Sequence, residues 1–182
     1  MIGLVLITHF EIGTALRVAM EHVVGPQQQL MTLSIGADDD IQARRRDLDL
    51  AVASVDRGDG VVILTDMFGS TPSNLAIALM ARGGIEVIAG VNLPMLVKLA
   101  KIRSDRTLDE CVAIAEMAGR KYIAAASHLP EACLGGAACC QTALAQTALA
   151  QTALTQTVLT HTAMEHGPPP EAAETRVAVL AN

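Results

Sequence analysis

Aromatic residues are nearly missing from this chain of 182 residues, which has no Trp, one Tyr and two Phe. Sites that stack bases or flavin rings lean on aromatic faces, so this scarcity argues against them. Positive charge is also short. With 13 Lys and Arg against 19 Asp and Glu, the formal net charge is -6, which leaves no basic footprint for nucleic acid. No apolar stretch is long enough to span a bilayer, and no basic segment precedes the first apolar run. Membrane insertion is therefore not expected, and a cytoplasmic location is. The four cysteines, Cys111, Cys133, Cys139 and Cys140, lack the paired spacing of a zinc site and read as reduced thiols.

What the chain does have is a set of short, charge-poor runs that end in polar residues. Ile2 to Ile7 closes on Thr8-His9, and Val61 to Leu64 closes on Thr65-Asp66. Such runs read as strands buried on both faces. Leu30 to Ile35 alternates apolar and small polar residues, as an edge strand would, and Ile85 to Ala89 supplies a fourth strand. Helical spacing fills the gaps. Ile12, Leu16, Ala19 and Val23 form one stripe, and Leu48, Ala51, Val52 and Val55 another. Asp38-Asp39-Asp40 precedes that second helix and reads as its cap rather than as a metal site. Thr71-Pro72 opens a third helix, with Thr71 as N-cap. Met95 to Ile102 and Leu108 to Ala118 follow, the last ended by Gly119. Tyr122 to Ala126 reads as a weak final strand.

Alternating strands and helices predict an α/β fold: a doubly wound, mostly parallel sheet with helices on both faces and strand order 2-1-3-4. Residues 1–130 form the predicted domain. Residues 131–182 read as a low-complexity extension, partly disordered, with five-residue Gln-Thr-Ala-Leu-Ala repeats from Gln141 and a Pro168-Pro169-Pro170 breaker.

In open α/β sheets ligands bind beyond the carboxyl ends of strands, where the winding reverses. The predicted order puts that point between strands 1 and 3, which end in His9 and Asp66. An imidazole is a nucleophile toward phosphoryl groups when one nitrogen is held and the other is unprotonated. Asp66 is the candidate for holding it. Gly69 lets the following loop come close, and the hydroxyls of Ser70 and Thr71 add donors at the start of the third helix. No metal and no cofactor is called for by this arrangement.

Thr8-His9, the run Thr65-Asp66-Met67-Phe68-Gly69-Ser70-Thr71-Pro72-Ser73-Asn74, and Val87 to Leu96 (VIAGVNLPML) occur in this order. Together they resemble the mannose-family IIA component of the bacterial sugar phosphotransferase system, over about residues 1–130. The resemblance implies that His9 accepts a phosphoryl group from the phosphocarrier HPr and passes it to a IIB component or uses it for regulation. It further implies that Asp66 holds the ring, that the Thr71 hydroxyl helps bind the phosphoryl group, and that the protein is a homodimer. In some members the final strand is exchanged, here about Lys121 to Ala126. Two positions depart from the family pattern. Phe10 stands where Gly usually follows the active His, narrowing access or altering a partner's approach, and Ser70 replaces a second loop Gly.

Three other readings compete. The phosphotransfer subunit of dihydroxyacetone kinase has a similar domain and the same His chemistry. A receiver-like module would use Asp66 as acceptor but needs a Mg²⁺ held by acids at the end of strand 1, where this chain has Thr8-His9. A non-catalytic anion-binding domain would have lost transfer through its altered loop.

Overall fold

The fold is set by four strands whose apolar side chains point alternately to two helical layers. In a computed structural model, which describes residues 1–128, the strands are β1 (Gly3–His9), β2 (Leu30–Ile35), β3 (Val61–Thr65) and β4 (Ile85–Ala89). All neighbouring pairs are parallel, in the order β2-β1-β3-β4, as predicted. The helices are α1 (Ile12–Val24), α2 (Ile41–Val55), α3 (Thr71–Ile77), α4 (Leu93–Ile102) and α5 (Leu108–Lys121).

Successive strand residues face opposite sides of a sheet. Leu4 and Leu6 of β1, with Val62 and Leu64 of β3, therefore join one core with Met20, Leu96, Leu99, Cys111 and Ala115 from α1, α4 and α5. Val5 and Ile7, with Val61 and Ile63, join the other, under Leu48, Val52, Val55, Leu75 and Ala76 of α2 and α3. Burying each Leu, Ile or Val in this way is worth about 1.5–3 kcal/mol, so the two central strands are the best-fastened part of the chain. β2 is less buried, as an edge strand should be.

The capping signals fall largely where expected. Asp40 accepts the Gln42 N–H at the start of α2, while Asp39 accepts the Gly36 N–H and pairs with Arg44. Thr107 and Glu110 form a reciprocal capping box on α5.

Four expectations need correcting. On α1 the buried residues are Gly13 and Met20; of the predicted stripe Leu16 packs half-buried against the core, whereas Ile12 and Val23 are exposed. Gly13 lets the helix settle on β1, its N–H bound to the buried Thr8 Oγ1 at 2.8 Å. Gly119 does not end α5, which runs on to Lys121. It is a packing glycine: a Cβ there would stand 2.7 Å from Met95 Cε, and its carbonyl accepts from Asn92 Nδ2. The N-cap of α3 is Ser70, one residue before the expected Thr71. Finally, Lys121 to Ala126 is not a strand: Lys121 closes α5, and only a 3-10 turn over Ala126–His128 follows. An exchanged strand pairs with the sheet of another chain, and a single chain offers it no such edge.

Residues Met1–Ala125 make one compact unit. The boundary near residue 130, the five-residue repeats and Cys133, Cys139 and Cys140 lie outside the described residues. Cys111 is a free, buried thiol; burial, then the neighbouring Glu110, raise its pKa and keep it protonated. Among the described residues no helix is long and apolar enough to cross a membrane.

At the edge of the sheet opposite His9, Arg103 is 1% exposed. Its guanidinium donates to the carbonyls of Ile2, Gln28 and Gln29 and to Gln27 Oε1. It thereby ties the end of α4 to the start of β1 and to the turn entering β2. Arg103→Met keeps the apolar stem but removes the guanidinium and strands these oxygens, and should lower the unfolding free energy by about 3 kcal/mol in urea titration.

Candidate functional site

β1 and β3 lie side by side, Leu6 opposite Leu64, so His9 and Asp66 emerge together at the carboxyl edge of the sheet. His9 Nδ1 lies 2.7 Å from Asp66 Oδ2, and the His9 backbone N–H donates to the same oxygen at 3.1 Å. Asp66 Oδ1 accepts from the Met67 N–H and the hydroxyl of the buried Thr65. Partial burial works to raise the Asp66 pKa. The hydrogen bonds from the His9 ring and N–H, together with the ring's charge, outweigh it, and the pKa lies below its ordinary 3.8. An ionised carboxylate can only accept. Nδ1 therefore carries the proton, and the chemistry of the ring falls to Nε2. The His9 side chain is 36% exposed, and Nε2 makes no hydrogen bond among the described residues.

The loop after Asp66 is held by its own side chains. The Ser70 hydroxyl donates to the Met67 carbonyl at 2.8 Å, and the Gly69 N–H donates to Ser73 Oγ at 3.0 Å. Gly69 takes a φ of +80°, which a glycine adopts without strain. Of the three expected phosphoryl-binding residues, Gly69 and Ser70 thus have a donor committed to shaping the loop. Thr71 is exposed at the first turn of α3 with its hydroxyl free among the described residues. Ser73, in the first turn of α3, is the loop-shaping residue that sequence reading does not single out. Its hydroxyl locks Gly69, and the only sequence hint was a Ser in the first turn of a helix. Among the described residues no three His, Cys, Asp or Glu side chains cluster as a metal site requires.

Residues 3–116 match the family described as "PTS system fructose IIA component". The chain belongs to this family. Over 131 residues it is 30% identical to the PTS system mannose-specific EIIAB component of Escherichia coli (strain K12), covering 71% of this chain and 41% of that one. This chain therefore spans about two fifths of that relative. Over 133 residues it is 24% identical to the PTS system fructose-specific EIIA component of Bacillus subtilis (strain 168), covering 72% of this chain and 91% of that one. The solved phosphotransferase system component EIIA from Streptococcus agalactiae shares the fold. The TM-score is 0.64 at 24% identity, covering 70% of this chain and 98% of that one.

Within this IIA-type component of the sugar phosphotransferase system, Phe10 is the unusual residue. It follows His9 with a φ of +45°, in the left-handed region that costs a residue with a Cβ about 1–2 kcal/mol. Its side chain is 62% exposed, so packing within the chain does not repay that cost. Both non-glycine residues with positive φ are tied through their backbones: the Phe10 N–H donates to the Ile35 carbonyl at 3.0 Å, and the Gln29 carbonyl accepts from the Leu4 N–H and from Arg103.

The depressed Asp66 pKa sets a pH dependence. A carboxyl whose pKa is lower in the folded chain contributes stability that is complete above the ordinary carboxyl range. That contribution is lost as pH falls through the folded value. Urea unfolding of wild type and Asp66→Asn from pH 7 to 2 should show wild type more stable at neutral pH. The gap should close below about pH 4.

Proposed function

We propose that this protein is a phosphohistidine carrier, accepting phosphoryl from phospho-HPr on His9 and passing it to a IIB component or a regulatory target. The observation that best supports this reading is the anchored ring: Nδ1 is tied to Asp66, while Nε2 makes no hydrogen bond among the described residues on a side chain 36% exposed. In the step, the Nε2 lone pair forms the new N–P bond as the donor's N–P bond breaks, and the electron pair returns to the donor's imidazole. The Nδ1 proton stays on the hydrogen bond to Asp66, whose charge stabilises the cationic phosphoimidazole ring. The Thr71 hydroxyl and the backbone N–H groups of Ser70 and Thr71 would receive the phosphoryl oxygens, with Gly69 keeping the loop close. Such a carrier would act as a homodimer.

A receiver-like role for Asp66 is less well supported. Both of its oxygens are occupied, one by His9 and the other by Met67 and Thr65.

Phosphorylation with phosphoenolpyruvate, enzyme I and HPr, followed by intact mass, tests the proposal. One acid-labile, base-stable adduct is expected on wild type and none on His9→Ala. No adduct on wild type, or a hydroxylamine-sensitive adduct that survives in His9→Ala, would overturn it.

A further inference from the structure

Phe10 combines two properties that rarely meet in one residue: a backbone conformation unfavourable to any side chain, and a large apolar side chain left in water. Nothing within the described chain explains the aromatic ring at this position. Observed strain next to a reactive group is a reason to look for a role outside the fold. The surroundings suggest one. Met67 and Phe68, directly after Asp66, are 58% and 65% exposed. Both phenylalanines of a chain with only two thus stand in solvent, within two residues of the His9–Asp66 pair. The loop segments that carry them, residues 10–11 and 67–70, contain a single charge, Glu11.

We propose that Phe10 is a docking and specificity residue for the protein that exchanges phosphoryl with His9. With Met67 and Phe68 it forms an apolar grip on the partner's surface around its own phosphorylated side chain. This rests on the carrier reading above and adds to it the chemistry of the contact. A protein donor must bring its phosphorus in line with Nε2, so its surface has to cover the residue beside His9; a small donor would leave Phe10 in water. The near absence of charge in these loops makes the matching surface on the partner apolar. Exposed aromatic residues on a rigid strand end are the usual anchors of such contacts.

The experiment is steady-state transfer from the cognate phospho-HPr to wild type, Phe10→Gly and Phe10→Tyr, alongside thermal unfolding and sedimentation. Phe10→Gly relieves the strained backbone and removes the ring. It should unfold at higher temperature yet show a KM for phospho-HPr raised about tenfold, the loss of one anchoring contact. The loss should fall in KM rather than kcat, and Phe10→Tyr should restore it. An unchanged or lower KM in Phe10→Gly would overturn the proposal and make the ring an obstruction. An unchanged KM with weakened self-association would also overturn it, assigning the patch to a second copy of this chain. Failure of wild type to accept phosphoryl would instead defeat the carrier reading itself, so the two failures are separable.

Discussion

The hydrogen bond of 2.7 Å between His9 Nδ1 and Asp66 Oδ2 exists only if the ends of β1 and β3 are neighbours, although 57 residues separate the two side chains. A parallel pair of this kind needs a crossover, and the chain supplies it with α1, β2 and α2. Everything that fixes the relative height of β1 and β3 therefore fixes the ring. A shift of one residue would turn the apolar side chains of β1 to the wrong faces and carry His9 out of reach of the carboxylate. The two cores oppose that slip from both sides, since Leu4 and Leu6 belong to one and Val5 and Ile7 to the other.

The opposite end of β1 is fixed by a different interaction. The Arg103 guanidinium collects carbonyls from Ile2, Gln28 and Gln29, and the Ile2 N–H donates back to the Arg103 carbonyl. β1 is thus anchored at its start by a buried cation and at its end by the His9–Asp66 pair. Close packing adds to this: a Cβ on Gly3 would stand 2.7 Å from the Val55 carbonyl of α2. Rigid strands with short polar ends are a suitable base for a group that must present one nitrogen in one direction.

The strands and their order were legible because β1 and β3 are Val- and Ile-rich runs that stop on polar residues. The meeting of His9 and Asp66 was legible because they stand at the ends of those two strands. What escaped reading has a common cause. Hydropathy gives glycine no weight as a contact, so a stripe of Ile12, Leu16, Ala19 and Val23 includes the core-packed Leu16 but passes over Gly13 and Met20. Gly119 passed for a helix stop when it is a seat for Met95. Arg103 would be read as a surface charge, since its partners are backbone oxygens, which leave no mark in a sequence. The hydrogen bond from the Ser70 hydroxyl to the Met67 carbonyl is a local competition between side chain and backbone that a sequence does not show. The backbone angle of Phe10 was equally invisible, whereas the presence of a bulky residue there was not.

The proposed transfer requires that Asp66 hold Nδ1 and leave Nε2 to react. The most direct measurement is ¹⁵N–³¹P correlated NMR on the phosphorylated protein with labelled histidine. Phosphorus is expected on Nε2 of His9, with an Nδ1 proton still observed in a hydrogen bond that is lost in Asp66→Asn. Phosphorus on Nδ1 would contradict the proposed transfer, because the phosphoryl group would then occupy the nitrogen that Asp66 is meant to hold.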